Sequence, residues 1–185
     1  EPLAVGEHAV AKAGLADDAV PLVIGCGPVG LAVISALKAR GIGPVIAADF
    51  SPTRRRLAEH LGADVVVDPA ADSPYDTWAA ACWPEGVDRA DPFLAFAGIA
   101  ARPNVIFECV GVPGILATVA ENAQRNTRVV VVGVCMEPDR IEPELLVAAQ
   151  PAALVRRGEL VAKPADPDPA RWLVTERIDR EQRAD

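Results

Sequence analysis

The chain has 185 residues, of which 51% are hydrophobic and 24% are charged, and its formal net charge at pH 7 is −8. This length suits a single domain, and the ordinary charge content excludes a disordered acidic or basic tail protein. We expect no nucleic-acid partner, because binding a phosphate backbone needs a basic face. We also expect neither a membrane partner nor a signal peptide, since the sequence holds no uncharged apolar run of 18 residues and no basic segment before an apolar one.

Short apolar runs separated by helical signals organise residues 20–134. Most runs are apolar at consecutive positions, which is typical of parallel strands buried on both faces. The five runs are 20–24, 44–48, 65–67, 105–107 and 129–132. Their alternation with helices predicts an α/β fold, a doubly wound parallel sheet of Rossmann type with strand order 3-2-1-4-5 and helices on both faces.

Helices are predicted before the first strand and between the others. A leading helix is expected at 1–15, and a second follows the first strand. A third begins at Ser51-Pro52 and ends at Gly62, because serine caps a helix, proline fits its first turn and glycine ends it. Weaker helical segments are 75–82, 93–100 and 113–123. We expect residues 1–150 to form a dinucleotide-binding domain, followed at 151–185 by a divergent, proline-rich and charged tail of irregular structure.

The segment Gly25-Cys26-Gly27-Pro28-Val29-Gly30 connects the first strand to the second helix. Gly25 permits the tight turn, Gly27 lets a pyrophosphate approach the backbone, and Gly30 lets the helix pack on the strand. The helix N-terminus then offers free N–H groups and partial positive charge to phosphates. Asp49 lies about 20 positions further on, at the end of the second strand, where a carboxylate binds the adenosine ribose. The alternative role for Asp49 is a favourable charge at the start of the next helix.

Asp49 also favours NAD over NADP, because its carboxylate would repel a 2′-phosphate. Arg54, Arg55 and Arg56 follow closely and leave the opposite preference open, since an arginine pairs well with a phosphate. Their alternative role is a solvated helix face.

Neither the histidines nor the cysteines suggest a metal site. The histidines are isolated on predicted helices, and no C-x-x-C pair occurs. We expect structural or surface histidines and reduced, buried thiols in a cytoplasmic protein. These residues are His8, His60, Cys26, Cys82, Cys109 and Cys135.

Taken together, these motifs resemble the coenzyme-binding domain of the zinc-dependent medium-chain dehydrogenase/reductase family, in its alcohol, polyol and threonine dehydrogenase branch. The resemblance covers about residues 1–150. Its matching segments are Glu1–Gly6, His8–Val10, Val23–Leu31, Leu57-Ala58, Leu61–Asp64, Phe107–Gly111 and Val131–Val134.

The resemblance implies particular coenzyme contacts at the first two strands. Gly25 to Gly30, with Pro28 among them, would wrap the pyrophosphate. Val29 would press the nicotinamide toward the substrate. Asp49 and Arg54 would hold the adenosine ribose.

The resemblance also implies contacts at the fourth and fifth strands. Val110 and Gly111 would line the coenzyme cleft. The nicotinamide end would be met by Val132, Gly133 and Val134. Ordinary packing of strand ends is the alternative for these five residues.

Glu1 stands where this branch ligates the catalytic zinc with Cys, Asp or Glu, and a frayed charged terminus is the alternative. The family's remaining zinc ligands belong to an N-terminal GroES-like barrel that this sequence does not contain. The resemblance therefore implies hydride transfer from a CH–OH group to NAD, with zinc as Lewis acid only in a complete enzyme. We expect a truncated chain that is inactive alone and has no catalytic residue of its own.

Two other classes of protein stay open at this point. One is a stand-alone nucleotide-binding or regulatory module, and the other is an S-adenosylmethionine-dependent methyltransferase, whose sheet also has a glycine turn and an acidic strand end. The small-molecule coenzyme is the expected partner, and homo-oligomerisation is left open.

Overall fold

The computed structural model describes residues 1–89, 91, 93–94, 100–124, 126–136, 153–156 and 159–162. The helices are α1 Pro2–Ala13, α2 Pro28–Ala39, α3 Pro52–His60, α4 Pro74–Ala81 and α5 Ile115–Asn122. The strands are β1 Val20–Ile24, β2 Ile46–Ala48, β3 Val65–Val67, β4 Asn104–Glu108, β5 Arg128–Val131, β6 Ala153–Arg156 and β7 Glu159–Ala162.

The strands form one sheet in the order β3-β2-β1-β4-β5-β6-β7. Neighbouring strands from β3 through β6 are parallel, and β7 runs antiparallel to β6. The predicted α/β fold and the order 3-2-1-4-5 are confirmed. Because β1 lies between β2 and β4, the strand order reverses at the carboxyl end of β1, and open α/β sheets bind ligands at this switch point.

Two apolar layers cover the sheet, one on each face. Along β1, Val23 points into the layer that contains α1 and α2, whereas Leu22 and Ile24 point into the layer that contains α4. All five β1 residues are buried, as expected for a central parallel strand. The Trp78 indole N–H in α4 donates a 2.9 Å hydrogen bond to the Val20 carbonyl, which fixes this helix against β1.

The start of α3 agrees with its sequence signal, and α4 begins one residue before the predicted segment 75–82. The Ser51 hydroxyl accepts the Arg54 N–H at the start of α3, and Ser73 does the same for Asp76 at the start of α4. His8 and His60 lie on helices, as predicted. Among the described residues, no helix is long and apolar enough to cross a membrane.

The tail differs from the irregular structure expected after residue 150. Residues 153–156 and 159–162 form β6 and β7, which extend the sheet beyond β5. Each contains a short apolar run, Ala153-Leu154-Val155 and Leu160-Val161-Ala162, and the free edge of β5 pairs with the first of them. The helix predicted at 93–100 falls largely outside the described residues. The domain boundary at residue 150 stays a prediction.

Candidate functional site

The turn between β1 and α2 contains two glycines that the fold itself requires. Gly25 has a φ of +90°, and a Cβ there would lie 2.7 Å from the Val110 side chain. A Cβ on Gly30 would lie 1.8 Å from the Gly25 carbonyl oxygen. These contacts show that Gly25 and Gly30 allow α2 to start directly against the end of β1.

Gly27 differs from Gly25 and Gly30, the other two glycines of the turn. Its φ of −72° and ψ of −176° are extended backbone that any residue adopts. A Cβ built on Gly27 would meet nothing within 4 Å. Nothing in the described part of the chain therefore requires a glycine at this position, and no described atom fills the space next to it.

The N-terminus of α2 faces the same open space. Gly27 is the N-cap and has no side chain to accept a helix N–H, and Pro28 in the first turn has no N–H to donate. The first hydrogen bond of the helix runs from the Leu31 N–H to the Gly27 carbonyl, at 2.9 Å. The Val29 and Gly30 N–H groups therefore precede the helical ladder and favour an anion in front of the helix.

Asp49 joins the glycine turn to the start of α3. Its carboxylate is 8% exposed and accepts the Cys26 N–H at 2.8 Å and the Ser51 N–H at 2.7 Å. The Arg54 guanidinium lies 3.7 Å away. The alternative role, a charge at the start of α3, is thus present in the structure. Each carboxylate oxygen has a second lone pair, so a ribose contact is compatible with it and stays a prediction.

The three consecutive arginines have separate roles. Arg55 donates to the Asp49 and Phe50 carbonyls, both at 2.8 Å, and pairs with Asp68. Arg56 donates to the Thr53 hydroxyl. Of the three, Arg54 is therefore the one whose guanidinium lies beside the Asp49 carboxylate.

The loops that follow β4 and β5 touch through their backbones. A Cβ on Gly111 would lie 2.6 Å from the Val134 nitrogen, and one on Gly133 would lie 2.4 Å from the Gly111 nitrogen. The Val110 side chain reaches the glycine turn, as its contact with a Cβ at Gly25 shows. The structure thus brings the residues expected at the cleft, Val132 among them, to the edge of the sheet that carries Gly27.

Two residues at this edge escaped the sequence analysis. Phe50 directly follows Asp49 and is 72% exposed. The sequence signal that could have identified it is an aromatic residue next to the acidic residue after the second strand. Glu108 ends β4, is 1% exposed and accepts the Val110 and Gly111 N–H groups, both at 2.7 Å. Its signal was a single charge at the end of an otherwise apolar run.

None of the four cysteines forms a disulfide, and three of them have raised pKa values. Burial, followed by the charge of Asp49, raises the pKa of Cys26 to about 12. Burial also raises the pKa of Cys82 to about 11 and that of Cys109 well above its usual range. These three thiols stay protonated at pH 7 and are poor nucleophiles. The expectation of burial is correct for Cys26 and Cys82. Cys135 is partly exposed, and Cys109 is partly exposed as a residue although its thiol lies inside the protein.

The described residues do not form a zinc site. They contain no group of three or more His, Cys, Asp or Glu side chains that could hold a metal ion. Glu1 is exposed at the start of α1, and its side chain makes no capping hydrogen bond there. A single carboxylate is not a zinc site.

After extensive dialysis, the purified chain should retain no stoichiometric zinc, because Glu1 would be a lone ligand. Elemental analysis of the protein measures the metal content. About one zinc ion per chain would contradict this expectation and reveal a site that Glu1 and other residues form together.

Comparisons with known proteins define the family. The family model described as "Zinc-binding dehydrogenase" matches residues 28–157. The (R,R)-butanediol dehydrogenase of Bacillus subtilis is 33% identical over 147 residues, which cover 80% of this chain and 38% of that protein. The sorbitol dehydrogenase of Ovis aries is 35% identical over 123 residues, which cover 64% of this chain and 31% of that protein.

A solved structure extends the comparison to a bound coenzyme. A zinc-binding dehydrogenase from Sinorhizobium meliloti, bound to NADP, is 27% identical with a TM-score of 0.61, and the match covers 84% of this chain and 42% of that one. This chain belongs to the zinc-binding dehydrogenase family, within the medium-chain dehydrogenases, as the sequence resemblance indicated. It spans about two fifths of the length of the butanediol dehydrogenase.

Proposed function

We propose that this chain is the NAD-binding domain of a zinc-type alcohol or polyol dehydrogenase. The observation that carries the proposal is the open space at Gly27, which lies in front of the Val29 and Gly30 N–H groups. A glycine that the fold does not need, placed before a helix N-terminus, fits the approach of a pyrophosphate to the backbone.

The adenosine half of the coenzyme is assigned to the end of β2. Asp49 would accept the ribose hydroxyls and Arg54 would lie beside the same sugar, 3.7 Å from the carboxylate. Phe50, which is exposed next to Asp49, offers an apolar surface for the adenine. The pyrophosphate then lies over Gly25 to Gly30, including Pro28.

The nicotinamide half is assigned to the ends of β4 and β5. Val110 and Gly111 would line the cleft there, and Val132, Gly133 and Val134 would meet the nicotinamide; the close approach of Gly111 to the Val134 backbone supports this assignment. Val29 is only partly buried at the start of α2 and faces the same edge. When bound, NAD⁺ accepts the hydride that a CH–OH substrate releases.

The relatives support the class of reaction. They are a butanediol dehydrogenase and a sorbitol dehydrogenase, and both names denote oxidation of a polyol. Since the described residues of this chain hold no zinc site, we assign to the chain the coenzyme half of such a reaction. The test is calorimetric titration of the purified chain with NAD⁺ and, separately, with S-adenosylmethionine. Binding of S-adenosylmethionine alone would overturn the proposal in favour of a methyltransferase.

Preference for NAD over NADP follows from the buried charge of Asp49. The carboxylate would repel a 2′-phosphate, although the neighbouring Arg54 attracts one. The Sinorhizobium meliloti relative carries NADP, so the family itself leaves the choice open. We assign NAD because Asp49 is the buried member of the pair, at 8% exposed against 56% for Arg54, and its charge is screened less by solvent.

Asp49→Asn should weaken NAD⁺ binding by about tenfold or more, because a hydrogen bond to a charged group contributes about 1.5–3 kcal/mol. The same substitution should narrow the difference in binding affinity between NAD⁺ and NADP⁺. Calorimetric titration of both proteins with both coenzymes measures these effects.

Asp68→Asn is the matched control for this measurement. Asp68 directly follows β3 at the same edge of the sheet and pairs with Arg55, but it has no assigned coenzyme contact. We expect its NAD⁺ affinity to stay within about twofold of wild type. Equal NAD⁺ affinity in wild type and Asp49→Asn would show that Asp49 has only its structural role at α3.

A further inference from the structure

Glu108 is a buried carboxylate that no coenzyme contact explains. It is 1% exposed, and among the described residues no Lys, Arg or His forms an ion pair with it. A buried carboxylate without a cation is costly unless N–H donors compensate for its lost water. Its presence at the end of β4 therefore calls for a specific role.

The hydrogen bonds of Glu108 reach both loops at this edge. Its Oε1 accepts the Val110 and Gly111 N–H groups of the loop after β4, each at 2.7 Å. Its main-chain carbonyl accepts the Val132 and Gly133 N–H groups after β5, each at 2.8 Å. One residue thus binds the second and third residues of the loop after β4 through its carboxylate, and the first two residues after β5 through its main-chain carbonyl.

The side chain also lies between the loops. A Cβ on Gly133 would lie 2.7 Å from Glu108 Oε2 and 2.4 Å from the Gly111 nitrogen. The carboxylate, Gly111 and Gly133 are therefore packed together without space for another atom. A larger side chain at this position would push one loop against the other.

These loops follow β4 and β5, on the other side of β1 from the adenosine site assigned to the end of β2. Asp49 directly follows β2, the glycine turn follows β1, and Glu108 ends β4, so that the three occur in that order across the sheet. Strands lie about 4.8 Å apart, and β2 to β5 therefore spans about 14 Å. A dinucleotide whose adenosine lies at β2 places its second nucleoside over β4 and β5.

We propose that Glu108 is a positioning residue for the nicotinamide half of the coenzyme. It acts through the backbones of Val110–Gly111 and Val132–Gly133, which it holds at one fixed separation. This inference rests on the proposed function, because it assigns a second nucleoside to these loops. It predicts that Glu108 affects NAD⁺ and leaves ligands without the nicotinamide nucleoside unaffected.

Calorimetric titration of Glu108→Gln with NAD⁺ and with ADP tests the proposal. Gln keeps the length and one acceptor oxygen but loses the charge that strengthens both N–H bonds. NAD⁺ binding should weaken by roughly tenfold, whereas ADP, which has the adenosine and pyrophosphate alone, should bind within about twofold of wild type. An equal loss for both ligands would reveal a merely structural role and would overturn the proposal.

Asp64→Asn is the matched control for Glu108→Gln. Its carboxylate also accepts a backbone N–H, that of Val45 at 2.7 Å, but at the opposite edge of the sheet. Asp64→Asn should leave the affinities for NAD⁺ and for ADP unchanged. If wild type binds NAD⁺ and Glu108→Gln binds it equally well, this inference alone is overturned. If wild type binds no NAD⁺, the proposed function is overturned and this inference with it.

Amide hydrogen exchange in the wild-type chain gives a second readout, which tests the hydrogen bonds to Glu108 even if Glu108→Gln does not fold. The Val110 and Gly111 amides donate to Glu108 and should exchange more slowly than the Val29 and Gly30 amides, which are assigned to the phosphates of the coenzyme. Adding NAD⁺ should slow the second pair. Fast exchange at Val110 and Gly111 would show that Glu108 does not hold them and would overturn the proposal.

Discussion

Gly27→Val should reduce NAD⁺ binding below detection while the fold persists. The extended backbone of Gly27 suits a β-branched residue, and the new side chain would meet no protein atom close to its Cβ. It would instead occupy the space assigned to the pyrophosphate. At the N-cap, valine is less favourable than glycine, so we expect a stability loss of about 1 kcal/mol.

Thermal melting with and without NAD⁺ separates the two effects of Gly27→Val. At 100 times the dissociation constant, a ligand that binds the native state stabilises it by about 2.7 kcal/mol, so the wild-type Tm should rise with NAD⁺. The Tm of the variant should not respond. Gly27→Ala, whose methyl group is smaller, should lose less affinity. Unfolding of Gly27→Val in the absence of ligand would show instead that the glycine serves the backbone.

The sheet was predictable because its strands are buried on both faces. Runs such as Val20–Ile24 are apolar at every position, and a parallel sheet covered by helices is the architecture that buries such runs. The glycine turn then marked β1 as the strand at the switch point. The helix start at Ser51 was a local signal, since the capping hydroxyl and the N–H that it binds are three residues apart.

The missed features depend on contacts between distant parts of the chain. β6 pairs with the outer edge of β5, and β7 pairs with β6. Their short apolar runs stand in a segment whose composition is typical of a linker. The carboxylate of Glu108 is stabilised by backbone N–H groups, which leave no trace in residue type. The Asp49 contact with the Cys26 N–H joins residues 23 positions apart, and the sequence predicted only that both lie at one edge.

The distinction between Gly27 and Gly30 illustrates the same limit. The sequence assigned a separate role to each glycine of the turn, and the geometry agrees with packing for Gly30 and open space for Gly27. Whether a missing Cβ serves the fold or a ligand depends on the atoms opposite it. A Cβ on Gly30 would meet the Gly25 carbonyl, whereas a Cβ on Gly27 would meet no atom of the described residues within 4 Å.

Gly30→Ala should therefore destabilise the fold, whereas Gly27→Val should leave the fold intact and abolish NAD⁺ binding. Its Cβ would lie 1.8 Å from the Gly25 carbonyl oxygen, a backbone atom that cannot rotate away, so α2 must shift from β1. We expect a loss of stability on the order of 3 kcal/mol, at the upper end for overpacking. For a chain of this size, that loss lowers the Tm by roughly 6–12 °C.

Circular dichroism melting of Gly30→Ala and Gly27→Val, side by side, measures this difference. Both substitutions add a side chain within the same turn, so composition and chain entropy change in the same direction in both variants. A lower Tm for Gly30→Ala with a nearly normal Tm for Gly27→Val assigns the first glycine to the fold and the second to the ligand. A wild-type Tm in Gly30→Ala would contradict the close contact of α2 with the end of β1, on which the placement of the Val29 and Gly30 N–H groups depends.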